Sequence, residues 1–144
     1  MSSGVGVHDD VVTKFNGFKL QSEGHRHRFV TFKIVGDEVT LDQLGDRDNT
    51  YEDFVNAISG PHTNNECRYG VFDLDCTTKD GRPTSKLVFI SWSPDTTTIK
   101  NKMLYSSSKE ALKRVLVGVG IFLNATDQSE LEFASIQDGV SKFL

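Results

Sequence analysis

Cysteine is scarce in this chain: Cys67 and Cys76 are the two in 144 residues. A disulfide-stapled small domain needs more pairs than that, so the class is excluded. The two thiols are nine residues apart in one segment of extended character, about 30 Å if it is straight, and the odd spacing puts them on opposite faces. A disulfide needs Cα atoms within about 7 Å, so both are expected as free thiols in a reducing compartment. Proline is nearly as rare, at three residues, and collagen-like and low-complexity compositions are excluded. No apolar run approaches the roughly 18 residues that cross a bilayer. Met1–Val7 has neither a basic region nor a long apolar stretch, so no secretory leader is expected and the expected compartment is the cytosol. Positive charge is not in excess. Sixteen Lys and Arg against twenty Asp and Glu give a formal net charge of −4, which argues against a nucleic-acid partner.

What is present suffices for a core. Hydrophobic residues make up 37% of the chain and include ten Phe, enough for one domain over residues 1–144. Asp9 to Leu20 spaces Val11, Val12, Phe15 and Phe18 along one helical face, with two aspartates at its start. Arg28–Val35 alternates as a strand and turns at Gly36-Asp37 into a hairpin partner, Glu38–Leu44. Thr50 and Asp53 resemble a helix cap, and Gly60-Pro61 ends the short helix they open. Cys67–Thr77 reads as a third strand, followed by a turn at Lys79–Pro83 that needs the conformational freedom of Gly81. Lys86–Trp92 is almost wholly apolar, so it is expected inside the sheet with both faces covered. Beyond Pro94 a helix begins, carrying Ile99, Met103 and Leu104. The serines at 106–108 are expected to interrupt it, leaving a second piece over Lys109–Val117. Gly118–Asn124 reads as a fifth strand, and Asp127 with Glu130 caps a last helix that Gly139 should fray. An α+β domain with a central mixed five-stranded sheet between helices accounts for this order.

A search for catalytic chemistry returns little. Gly118-Val119-Gly120 leads into a strand, and Leu123 stands where a dinucleotide loop needs its third glycine. His25 and His27 flank Arg26 with no carboxylate or thiolate to complete a metal site, and Cys67 has no neighbouring His. Asp73 and Asp75 share a strand face, but nothing marks them as an acid pair. No enzyme, metal or cofactor is expected.

Charge is unevenly spread. Between Thr98 and Arg114 stand Lys100, Lys102, Lys109, Lys113 and Arg114 against Glu110 alone, a local +4 that leaves −8 for the rest. A basic stretch on an acidic protein suits an acidic partner, though lysines also serve a merely solvated helix face. Met103 and Leu104 beside lysines suit a helix that inserts into an apolar cleft with a charged rim.

Several segments carry a resemblance to one family: Ser3-Gly4-Val5, Cys67-Arg68-Tyr69 with Phe72-Asp73, Trp92-Ser93-Pro94-Asp95, and Ile99-Lys100-Asn101-Lys102-Met103. Tyr105 through Lys109 and Ala125 through Glu130 add to it. From Ser3 to about Ile136 the chain resembles the ADF/cofilin family of actin-binding proteins. The resemblance implies a three-layer, gelsolin-like fold and a monomer that binds monomeric (G-) and filamentous (F-) actin. It also implies preference for the ADP state and filament severing and depolymerisation. On matching positions, Ser3, Gly4, Val5 and Gly6 would form a flexible arm along actin. Lys100, Lys102, Met103, Ser108, Lys109, Lys113 and Arg114 would form the main contact. Phosphorylation of Ser3 is implied as an inactivating switch, with a kinase and phosphatase as further partners, and the same lysines would bind phosphatidylinositol bisphosphate headgroups at the membrane. A cytoplasmic, cytoskeletal location follows. Nuclear import stays open, with no long basic run to argue for it.

The resemblance also carries a filament-specific surface onto Lys79, Arg82, Lys86, Asp138 and Lys142. Here Pro83-Thr84 replaces a pair that is often basic, and the last helix region reads Glu130, Glu132 and Asp138 against Lys142. Filament side-binding weaker than a typical relative's is therefore expected. A filament-stabilising or debranching relative and a phosphoinositide-only adaptor remain alternatives at this point.

Overall fold

The computed structural model describes residues 4–20 and 27–144. Among the described residues six strands form one mixed sheet: β1 (Gly6–Val7), β2 (His27–Val35), β3 (Glu38–Asp46), β4 (Arg68–Thr77), β5 (Pro83–Trp92) and β6 (Ile121–Ala125). Their spatial order is β1-β3-β2-β4-β5-β6, with β1–β3 and β5–β6 parallel and the other pairs antiparallel. Four helices cover it: α1 (Asp9–Leu20), α2 (Tyr51–Ser59), α3 (Ile99–Val115) and α4 (Phe133–Ser141).

The strands divide two cores by their alternation. Val30, Phe32, Tyr69, Val71 and Phe89 point to one face, where they meet Val11, Phe15 and Phe18 of α1 and Tyr105 and Leu112 of α3. Phe29, Phe72, Val88, Ile90 and Trp92 point to the other, against Phe54 and Ile58 of α2 and Ile136 and Val140 of α4. Helices on both faces of a mixed sheet are the arrangement read from the sequence, with one strand more than the five expected.

The sixth strand is β1. Gly6 donates to the Asp37 carbonyl at 2.8 Å and His8 donates to Val39 at 3.0 Å, while Val5, 8% exposed, enters the α1/α3 core. Two residues are too few for alternation to announce a strand. The picture of a flexible arm over Gly4–Gly6 is corrected: the backbone is stitched to the sheet from Gly6 onward. Ser3 lies outside the described residues.

The cap on α2 is a full capping box, Asp53 N–H donating to Thr50 Oγ1 at 3.2 Å and Thr50 N–H to Asp53 Oδ2 at 2.8 Å. By contrast, the interruption expected within α3 is absent. Ser107 and Ser108 donate their hydroxyls back to the Met103 and Leu104 carbonyls at 2.8 and 2.6 Å, a mode compatible with an unbroken helix. Its N-cap is Thr98, whose side chain accepts from Asn101 N–H. At the other end, Gly118 takes a positive φ of 104° in the turn after α3, so β6 begins at Ile121 rather than Gly118. The Asp127–Glu130 cap opens a 3-10 turn over Gln128–Leu131, and α4 starts separately at Phe133. Gly139 does not fray that helix. It faces β6, where a Cβ would stand 3.1 Å from the Leu123 side chain.

The β4–β5 hairpin outreaches its neighbours. Its pairing runs from Arg68–Trp92 to Thr77–Pro83, yet β2 pairs with β4 only through Phe72 and β6 with β5 only from Val88. The outer half is therefore a two-stranded arm carrying the Asp80-Gly81 turn.

Candidate binding face

Rotation of α3 about its own axis is fixed by buried polar contacts. Tyr105 Oη accepts from Ile34 N–H at 2.8 Å, the Tyr105 carbonyl accepts from Tyr69 O–H, and Asn101 Oδ1 accepts from Cys67 N–H at 2.7 Å. Burial raises the Tyr69 and Tyr105 hydroxyls above the ordinary tyrosine range, so both stay neutral here, Tyr69 as donor and Tyr105 as acceptor. With Tyr105, Ser108 and Leu112 turned inward, the outward line at about 100° per residue holds Ile99, Met103, Glu110 and Arg114.

Ile99 is 74% exposed and Met103 67%, one turn apart, so two large apolar side chains stand side by side in water. Lys100 and Lys102 flank this ridge on opposite sides. Lys102 Nζ donates to the Asp95 carbonyl at 2.8 Å, whereas Lys100 is exposed and has no hydrogen bond or ion pair among the described residues. Farther along, Lys109 reaches Asn124 Oδ1 at 3.2 Å, and Lys113 pairs with Glu110 at 3.5 Å over the Phe122 ring. Arg114 projects outward, exposed.

Two expected members of the face are elsewhere. Ser108 is 1% exposed and bonded within the helix, so it cannot touch a partner. Leu104 packs against the α1/α3 core. Ile99 joins the ridge instead; its i, i+4 spacing to Met103 was the available signal. Beside α3 lies β1, with Gly6 exposed, and the residues before it alternate, Val5 buried and Gly4 exposed.

The residues assigned to a filament surface sit apart, on the hairpin arm and the end of α4. Lys79 and Lys86 are exposed on the arm. Arg82 is held by Asp80, Nε at 3.0 Å and Nη2 at 2.7 Å, which offsets its charge locally. Hydrogen bonds from Thr78 and then Arg82 hold the Asp80 carboxyl below the usual carboxylate range. Asp138 and Lys142 are exposed, at and just past the end of α4. Asp73 and Asp75 pair with Arg47 and Arg28 at 2.8 and 3.2 Å, as structural ion pairs. Among the described residues no cluster of three or more His, Cys, Asp or Glu is placed to hold a metal ion, and no helix is long and apolar enough to cross a membrane.

An exposed apolar ridge with basic flanks, on a helix locked to a mixed sheet, is the kind of face that binds another protein. The profile of the family described as cofilin/tropomyosin-type actin-binding protein matches residues 4–141. Actin-depolymerizing factor 4 of Oryza sativa subsp. japonica is 40% identical over 141 residues, covering 96% of each chain. Actophorin of Acanthamoeba castellanii is 39% identical over 142 residues, covering 97% of each. Among solved structures, Streptomyces griseoflavus cofilin superposes with a TM-score of 0.82 at 30% identity, over 96% of this chain and 98% of that one. The chain belongs to the ADF/cofilin family.

Proposed function

We propose that this protein binds monomeric and filamentous actin through the outer face of α3, prefers the ADP-bound state, and promotes filament severing and depolymerisation. The observation that carries the reading is the Ile99–Met103 ridge, exposed between Lys100 and Lys102 on a helix whose rotation is fixed. Two such side chains held in water have a use when a partner's groove takes them up. Full burial of each contributes about 1.5–3 kcal/mol. Lys100 and Arg114 supply the positive field that steers encounter with an acidic partner, while the apolar pair governs dissociation. Phosphorylation of Ser3 would add up to about −2 charge next to Gly4 in sequence and weaken that attraction. Phosphatidylinositol bisphosphate headgroups would compete with actin for Lys100, Lys113 and Arg114, which ties the protein to a cytoplasmic, cytoskeletal setting.

Titration of fluorescently labelled ADP- and ATP-actin monomers tests this. Saturable binding, tighter to ADP-actin, is expected. Lys100→Ala should slow association about three-fold or more at low salt, with the difference shrinking as salt rises. Absence of binding to either form would overturn the reading.

A further inference from the structure

On the sheet face opposite α3, α2 and the start of α4 line a recess of about 340 Å³. Its floor is apolar: Tyr51, Val55, Leu131 and Phe133. Tyr51 O–H donates to the Leu131 carbonyl at 2.6 Å, and the Tyr51 and Phe133 rings meet edge to face at 5.3 Å, so the floor is held in shape. Phe133 is nonetheless 42% exposed. The size suits one or two large side chains, at the small end of ligand recesses.

The rim is acidic. Glu52 and Glu132 line it, and no lysine or arginine does. Neither carboxylate has a hydrogen bond or ion pair among the described residues. Glu132 occupies the N-cap position of α4 and makes no cap hydrogen bond, so its charge is not spent on the helix it precedes. Asp127 and Glu130, on the adjoining turn, extend the negative field. An aromatic floor under two unpaired carboxylates is complementary to a large apolar side chain flanked by cations. The carboxylates would also repel an acidic competitor.

We infer that the recess between α2 and α4 is a docking site for a basic segment of a partner protein, with a bulky apolar residue seated on Tyr51 and Phe133 and flanking Lys or Arg paired with Glu52 and Glu132. The site lies away from α3, although it shares α4 with the residues assigned to a filament surface. It lies on the other face of the sheet, so a chain bound through α3 keeps it open for a second partner.

Fluorescence anisotropy of labelled acetyl-GKRLFKRG-amide, with acetyl-GEELFEEG-amide as control, tests the inference on the full chain. The basic peptide should bind and the acidic one should not. Glu52→Lys with Glu132→Lys, two exposed changes that leave the fold intact, should weaken the basic peptide about ten-fold or more and gain the acidic one. Phe133→Ala should weaken the basic peptide several-fold. Actin-monomer affinity should be unchanged by the double charge reversal. Equal binding of both peptides, or indifference to the reversal, would overturn the inference. Concentration-dependent self-association abolished by the reversal would also overturn it, assigning the recess to a second copy. Loss of actin binding with peptide binding retained would instead strike the proposed function alone.

Discussion

Single residues account for much of the sheet's register. Gly45 lies opposite Phe29 in the β2–β3 pairing, and a Cβ there would stand 2.1 Å from the Phe29 ring. Gly45→Ala should therefore lower the urea midpoint, with a loss of about 1–3 kcal/mol and an unchanged denaturant slope. Exposed carboxylates act at the other end of the pH scale. Asp53 is held below its ordinary range first by the Thr50 backbone N–H and then by Asn49, and Asp127 first by the Ser129 hydroxyl and then by the Glu130 N–H. Both are depressed in the folded state, so their stabilisation is present above about pH 4 and is lost as pH falls through the lower native values. Urea midpoints measured from pH 7 to pH 3 should fall in that acid window, and Asp53→Asn should flatten part of the fall. The Asp53 cap was legible because Thr50 and Asp53 stand three apart. Gly45 was not, since its partner is 16 residues away in sequence and becomes a neighbour only through the hairpin.

Elements followed the periodicity wherever the pattern was long. The bounds of α1 were readable from apolar spacing, and both hairpins were found, although Glu38–Leu44 and Lys86–Trp92 stopped short of β3 and β5, whose outer ends carry polar residues. Local rules misled at several points, among them the Asp127–Glu130 cap, which opens a 3-10 turn, and Gly139, which packs against β6 instead of fraying α4. Three consecutive serines read as a break in α3, yet the hydroxyls of Ser107 and Ser108 turn back to the helix's own carbonyls. The two residues of β1 were invisible because β3 and the buried Val5, rather than any pattern, hold them. The hairpin arm carries its own prediction. With Arg82 tied to Asp80, the arm presents less free positive charge than Lys79, Arg82 and Lys86 suggest. Cosedimentation should show weaker filament side-binding than a strongly severing relative, and Asp80→Lys should raise the bound fraction at low salt.

At the level of the whole molecule, the sheet separates two surfaces of unlike character. One carries the basic α3 beside the N-terminal strand; the other carries α2, α4 and an acidic recess. The sequence showed the imbalance of charge between Thr98 and Arg114 and the rest of the chain. It could not show which side chains of α3 face outward, because that depends on the contacts Asn101 and Tyr105 make with Cys67 and Ile34 across the fold. Ser108 and Leu104 were consequently misplaced, and Ile99, noted one turn from Met103, was left out of the expected contact.

The affinity of the Ile99→Ser, Met103→Ser double variant for ADP-actin monomers, set against the native chain in the same titration, bears most directly on the account. Replacing two exposed apolar side chains should leave thermal unfolding unchanged. Binding should weaken about thirty-fold or more, mainly through faster dissociation. Affinity within two-fold of the native chain would contradict the claim that the outer ridge of α3 is the anchor.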